Sequence, residues 1–168
     1  MRRFPTKLLV LTLSAVACQQ RTSQQGEATV SSSQRAAITD SVRKATSDFF
    51  AAAEHVDKAK AAPFFSHGRD FTFASDGSAW IGWESFQGLF DEGWKDVRSQ
   101  QISVHNSSLA VLSPSVVVET ISASGNVVDT AGKKRIIDKS AMTLLWVRDS
   151  TGWKILSLHQ SFAPPATK

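Results

Sequence analysis

The chain has 168 residues, 42% of them hydrophobic and 20% charged, enough length and apolar content for one domain with a single core. Its formal net charge is +4, but Arg2, Arg3 and Lys7 supply three of those charges, and loss of an N-terminal leader would leave only +1. So slight a basic excess excludes the charge footprint of a nucleic-acid binder, and a lone cysteine, Cys18, excludes an internal disulfide framework.

The basic start Met1 to Lys7 precedes an apolar run from Leu8 to Ala17, broken by Thr12 and Ser14. This pattern predicts a secretory signal over residues 1–17; the run is shorter than the roughly 20 apolar residues that span a bilayer. Ala15-Val16-Ala17-Cys18 resembles the bacterial lipobox, although Leu is commoner than Ala at the first position. The resemblance implies that Cys18 is lipidated and becomes the mature N-terminus. Residues 18–34 are mostly Gln, Ser, Thr, Gly and Glu, which cannot bury enough to offset their ordering entropy; they are expected to form a flexible tether ahead of a domain at 35–163. Gln19 is not the aspartate that retains lipoproteins in the inner membrane of many enteric bacteria. The expected location is therefore the cell envelope, on the outer membrane facing the periplasm if the host is diderm.

Ile38, Val42, Ala45, Phe49, Ala52 and Val56 recur at steps of three and four, one face of a helix. Ser33 or Thr39 is a candidate N-cap. Asp57 is a candidate cap for a second, short helix limited by Pro63. Phe71 and Phe73 alternate with polar residues, and Asp76-Gly77 before Ala79-Trp80-Ile81 predicts a tight hairpin. Trp83, Phe86, Phe90 and Trp94 share a third helical face. Strand signals follow at Ile102 to Val104, Val116 to Ile121, Ile136 to Val147 and Trp153 to Phe162. Turns are expected at Ser113-Pro114, Ser124-Gly125-Asn126 and Asp149 to Gly152. Helices ahead of an antiparallel sheet predict an α+β fold with the helices on one sheet face.

That order resembles the nuclear transport factor 2-like superfamily, in its SnoaL-like branch. The features carrying the resemblance are Asp57 after the first helix, Phe64-Phe65 followed by Asp70-Phe71-Thr72-Phe73, the Asp76-Gly77 turn, Gly82-Trp83-Glu84-Ser85-Phe86 at a helix start, and the terminal stretch Gly152 to Ser161. They cover Arg35 to Phe162. Ser157 departs from the pattern, since many relatives have a histidine there. The resemblance implies a cone-shaped fold of three N-terminal helices packed on a curved antiparallel sheet, with face-to-face homodimers common. The family includes isomerases, dehydratases, epoxide hydrolases and polyketide cyclases as well as binding and assembly domains, so fold analogy does not choose a function.

Among residues able to carry chemistry, His159 stands first, either as an acid–base group or as a hydrogen-bonded core histidine. Glu119 lies among valines, so it is buried with a partner, lines a cavity, or faces solvent; burial would suit acid or base work. Asp138, Arg135 and His105 lie near strand ends, where exposure is the default. His55, His67, His105 and His159 are scattered without ligand spacing, no Gly-x-Ser-x-Gly elbow occurs, and no phosphate-binding glycine loop is present. The sequence therefore implies no metal and no cofactor.

If Asp149 to Gly152 is a loop, Arg148 pairs with Trp153, Trp146 with Ile155, Leu144 with Ser157, Met142 with His159 and Ser140 with Ser161. This register places His159 inside, in a pocket formed with Met142, Trp146 and Ser161 and closed by Phe64, Phe73, Trp80, Phe86, Phe90 and Trp94, a lining suited to a flat or apolar ligand. Asp138 lies four residues from Met142, roughly 13 Å along a strand, so Glu119 is the carboxylate expected to work with His159. The opposite face sets Leu145 beside Leu156 and Thr143 beside Leu158; a sheet with one solvated face should alternate more cleanly, which suggests a homodimer. Three functions remain open, in this order: a lipid-anchored domain binding a small, largely apolar molecule; an acid–base enzyme of isomerase, dehydratase or cyclase type using His159 and Glu119; and a protein-interaction module.

Overall fold

The computed structural model describes residues 30–164; the leader, Cys18 and most of the expected tether lie outside the described residues. The first helix, α1 (Ser32–Glu54), begins three residues before Arg35. Its cap is Ser31, neither of the two residues expected: the Ser31 hydroxyl accepts the Gln34 N–H, and the Gln34 side chain accepts the Ser31 N–H, a reciprocal capping box. The expected periodicity holds from Ile38 to Ala52, with Ile38, Val42, Thr46, Phe49, Phe50, Ala52 and Ala53 buried, but Val56, expected on the same face, lies beyond the helix end with a φ of 55°. Asp57 caps the single-turn α2 (Lys58–Ala61), and the chain tightens into a 3₁₀ turn, Ala62–Phe64, with Pro63 in its first positions.

The strands β1 (Thr72–Ser75) and β2 (Ser78–Ile81) form the expected hairpin. Asp76 and Gly77 both have positive φ, 47° and 86°, as a two-residue turn matching strand twist requires. Helix α3 (Trp83–Gly93) follows and buries Trp83, Phe86 and Phe90. Then come β3 (Val97–Ser113), β4 (Val116–Asp129), β5 (Lys134–Asp149) and β6 (Gly152–Phe162). The six strands lie in the order β2-β1-β6-β5-β4-β3. The sheet is mixed, not antiparallel as expected, because β1 runs parallel to β6, with Phe73 opposite Leu158. Helix α1 covers one face, which we call inner. Val117, Glu119, Ile121 and Ala123 of β4 are buried there with Leu144 and Trp146 of β5.

Two bulges, one on β5 and one on β6, decide which side chains of those strands reach that face. Arg148–Trp153 and Trp146–Ile155 pair as expected, but Leu156 is an extra residue on β6. The pairs beyond it become Leu144–Leu158, Thr143–His159, Met142–Gln160, Ala141–Ser161 and Ser140–Phe162. A one-residue slip exchanges the faces of everything that follows. Leu158 and Gln160 therefore turn inward, and His159 turns outward and is exposed. On β5, Asp138 and Lys139 span the step where β4 has only Ser124. That bulge puts Arg135 and Ile137 on the same face as Ser140 and Met142. Ser124-Gly125-Asn126 is no turn; it runs inside β4. A Cβ on Gly125 would lie 2.0 Å from the Gln101 carbonyl oxygen, so the glycine admits a close approach of β3.

Candidate functional site

A cavity of about 570 Å³ opens between the C-terminal half of α1, the β1–β2 hairpin, α3 and the inner face of the sheet. Its apolar wall is largely aromatic. Phe49 and Phe50 come from α1, Phe73 and Trp80 from the hairpin, and Phe86, Leu89, Phe90 and Trp94 from α3 and its end. Ring centroids lie 4.8 Å apart for Phe73–Phe86 and for Phe90–Trp94, a spacing typical of packed aromatic pairs. Phe73, Phe86 and Phe90 are each less than 8% exposed, so core and cavity share one wall. Met142 and Leu158 form the floor on the sheet side.

Polar groups gather where the sheet reaches the rim: Gln100 and Gln101 of β3, Asn126 of β4, Arg135 and Ser140 of β5, and Gln160 of β6. Several are already oriented. Gln100 Nε2 donates to the Ala53 carbonyl at 2.8 Å, and Asn126 Nδ2 donates to Gln101 Oε1 at 2.9 Å. Ser140 donates to the Ala123 carbonyl at 3.1 Å. On the opposite lip, the Asp76 carboxylate accepts the Ser75 hydroxyl at 2.9 Å and the Phe162 N–H at 3.4 Å.

Six of the expected ligand-binding residues line this cavity: Phe73, Trp80, Phe86, Phe90, Trp94 and Met142. Three do not. Phe64 is half-buried against Phe49, with ring centroids 5.9 Å apart. Trp146 is fully buried below the cavity. Ser161 is exposed beside Ala141 on the outer face, an effect of the Leu156 bulge. The same bulge corrects the placement of His159, which sits opposite Thr143 on the outer face. Gln160 occupies the inward position expected for the histidine.

Glu119 is 1% exposed and engaged on both oxygens. Oε2 accepts the Thr46 hydroxyl at 2.5 Å and the Trp146 indole N–H at 3.0 Å, and Oε1 accepts the Ser107 hydroxyl at 2.7 Å. The Thr46 hydroxyl also lies 3.1 Å from the Val42 carbonyl. Glu119 shares the inner face with Leu144 and Leu158, whereas His159 points the other way. The expected His159–Glu119 pair is therefore divided between opposite faces of the sheet. Glu119 instead ties α1 to β3, β4 and β5 through a satisfied buried network. Among the described residues, no three His, Cys, Asp or Glu side chains gather where they could hold a metal ion.

The sequence reading missed Gln100, Gln101, Asn126, Arg135, Ser140 and Gln160 as lining residues. One signal was present: Gly125 inside a polar stretch marks a bulge or close backbone approach as readily as a turn.

Residues 42–165 match the model of the SnoaL-like domain. The chain belongs to this family. Curated proteins show no sequence match. Among solved structures, the SnoaL-like chain is similar to a candidate scytalone dehydratase from Novosphingobium aromaticivorans DSM 12444, at TM-score 0.71 and 10% identity over 80% of this chain and 89% of that one. It is also similar to a hexachlorocyclohexane dehydrochlorinase from Novosphingobium barchaimii LL02, at TM-score 0.64 and 17% identity over 82% and 97%. A nuclear transport factor 2-like superfamily protein from Salmonella enterica serovar Typhimurium LT2 has TM-score 0.66 and 13% identity over 80% and 95%. At these identities the likeness establishes a shared fold, with its curved sheet, and leaves the chemistry to the site itself.

Proposed function

We propose that the protein binds a small, largely apolar molecule in its aromatic-walled cavity and acts as an extracytoplasmic lipoprotein tethered through Cys18. The cavity carries this reading. Its volume falls within the range of roughly 300–1,000 Å³ usual for small-molecule sites, and it joins an aromatic wall to a rim of amides and hydroxyls. Such groups orient a ligand by hydrogen bonding without moving protons. The neighbours named as a dehydratase and a dehydrochlorinase place enzymes on this fold. For this chain the binding reading has more support, because His159 faces outward and both oxygens of Glu119 are committed to structural partners.

The neutral probe N-phenyl-1-naphthylamine tests the reading. Its fluorescence should rise on binding at micromolar protein, and Leu89→Trp, which fills the cavity, should abolish the rise while leaving the thermal unfolding curve in place. No binding by the wild-type chain, or undiminished binding by Leu89→Trp, would refute the cavity as the site.

The anchor follows from the lipobox-like Ala15-Val16-Ala17-Cys18. The cavity is lined by the last turns of α1, through Phe49, Phe50 and Ala53, whereas the chain leads back to Cys18 from the other end of that helix. Its 23 residues measure about 35 Å at the usual rise, so ligand would enter at the end of the domain remote from the anchored terminus. Homodimerisation through the outer face is part of the same proposal. Val116, Val118, Leu145, Val147 and Leu156 form an apolar strip there, only half-buried. Leu158, expected on that face, turns inward beyond the bulge, and Phe162 turns with it.

A further inference from the structure

Arg135 is the cation of the cavity lining. Strand parity without a bulge would set it on the outer face with Ala141 and Thr143; the extra residue between Ile137 and Ser140 turns it inward, the kind of re-aiming that bulges provide. The ion pairs among the described residues use Asp40, Asp48, Asp57, Asp91 and Glu92, so none of these engages its guanidinium. Val127 lies opposite both Arg135 and Gln100, and the adjacent Asn126 lies opposite Gln101. Arg135 thus shares the inner face with Val127 and Gln100, whereas Asn126 and Gln101 are turned to the other face of the sheet. The donor left at this corner of the inner face is the Arg135 fork, since the neighbouring Gln100 amide already donates to the Ala53 carbonyl. The negative group on the opposite lip, Asp76, already accepts from Ser75 and Phe162.

We propose that the cavity is built for an amphiphilic carboxylate, with a flat apolar body among Phe73, Phe86, Phe90 and Trp94 and its carboxylate at Arg135. This rests on the cavity-binding reading above and adds the charge and polarity of the ligand. A planar guanidinium matches a carboxylate with two parallel hydrogen bonds, which a lysine ammonium cannot do. Arg135 is itself exposed, so solvent screening limits its contribution, and a preference of about tenfold over a neutral ligand of the same shape is expected, at the lower end of charge-assisted bonding.

The experiment compares fluorescent 1-pyrenebutyrate with neutral 1-pyrenebutanol and cationic 1-pyrenebutylamine on the full chain. The expected order is butyrate, then butanol, then amine. Arg135→Gln should erase the butyrate preference and leave butanol affinity unchanged, and Arg135→Lys should retain part of it. Equal binding of butyrate and butanol, preference for the amine, or an equal loss for both ligands in Arg135→Gln would overturn the proposal while leaving the cavity reading intact. Failure of all three pyrenes to bind, together with failure of N-phenyl-1-naphthylamine, would overturn both. Failure of the pyrenes alone would overturn only the carboxylate assignment.

Discussion

Replacing Glu119 by Ala separates a structural carboxylate from a catalytic one. Three donors converge on its two oxygens, and their fates differ once it is removed. Thr46 can turn its hydroxyl to the Val42 carbonyl, 3.1 Å away, and loses little. Ser107 is exposed enough to find water. Trp146 is fully buried, and its indole N–H is left without a partner, at a cost of about 1–3 kcal/mol. The void left by the side chain adds about 1–2 kcal/mol, scaling from larger core truncations. The sum is about 2–5 kcal/mol. With a urea m-value of about 2 kcal/mol/M for a domain of this size, the midpoint should fall by about 1–2.5 M. Urea unfolding followed by tryptophan fluorescence measures it. Trp146→Phe removes the orphaned donor, so the double variant should lose less than the two single losses added together, with a coupling of about 1 kcal/mol or more. A Glu119→Ala midpoint within 0.3 M of wild type (a threshold of roughly half a kcal/mol at that m-value), or strict additivity with Trp146→Phe, would refute the network as a stabilising element. Glu119→Gln is expected to bind N-phenyl-1-naphthylamine as wild type does; loss of binding in a variant of unchanged stability would return Glu119 to the ligand site.

Five other outcomes are expected. Gly125→Ala must push away the Gln101 carbonyl of β3, which would lie 2.0 Å from the new Cβ, and should destabilise the domain by at least about 1–3 kcal/mol, the usual cost of overpacking, read as a lower urea midpoint; an unchanged midpoint would show that the strands part freely. His159→Ala should leave probe affinity within twofold of wild type in fluorescence titration, since the ring lies on the outer face, and a tenfold loss would contradict that placement. Leu145→Lys, in the middle of the outer apolar strip, should convert the proposed dimer to a monomer in sedimentation velocity at micromolar concentration; a wild-type chain already monomeric there would refute the dimer, while Cys18→Ser should release the protein from the membrane fraction, full retention ruling out the lipid anchor. The Asp149 carboxylate is held below its ordinary range first by the Thr151 hydroxyl and then by the Thr151 N–H, so its contribution is present above the unfolded aspartate pKa and is lost as pH falls through the lowered one; Asp149→Ala should flatten the acid-side fall in Tm, and an identical slope would exclude the contact.

Local periodicity in this chain determined what local periodicity can. The helix steps from Ile38 to Ala52, the Asp76-Gly77 turn, the aromatic face of Trp83, Phe86 and Phe90, and the loop at Asp149 to Gly152 are consequences of residues a few positions apart, and each is found where the pattern puts it. The ordered sequence features were also enough to resemble the family. Strand register is different in kind. It depends on how two distant segments satisfy their backbone bonds together, and a single extra residue reverses every side chain beyond it. Leu156 gave no sign of being that residue, so His159 and Gln160 exchanged places. The extra residue between Ile137 and Ser140 likewise turned Arg135 to the cavity face, while it stays exposed as a strand-end arginine reads by default. The fate of Glu119 was equally tertiary: its donors lie 73, 12 and 27 residues away in sequence, and only packing α1 against the sheet could decide that a carboxylate among valines serves the fold and not the ligand.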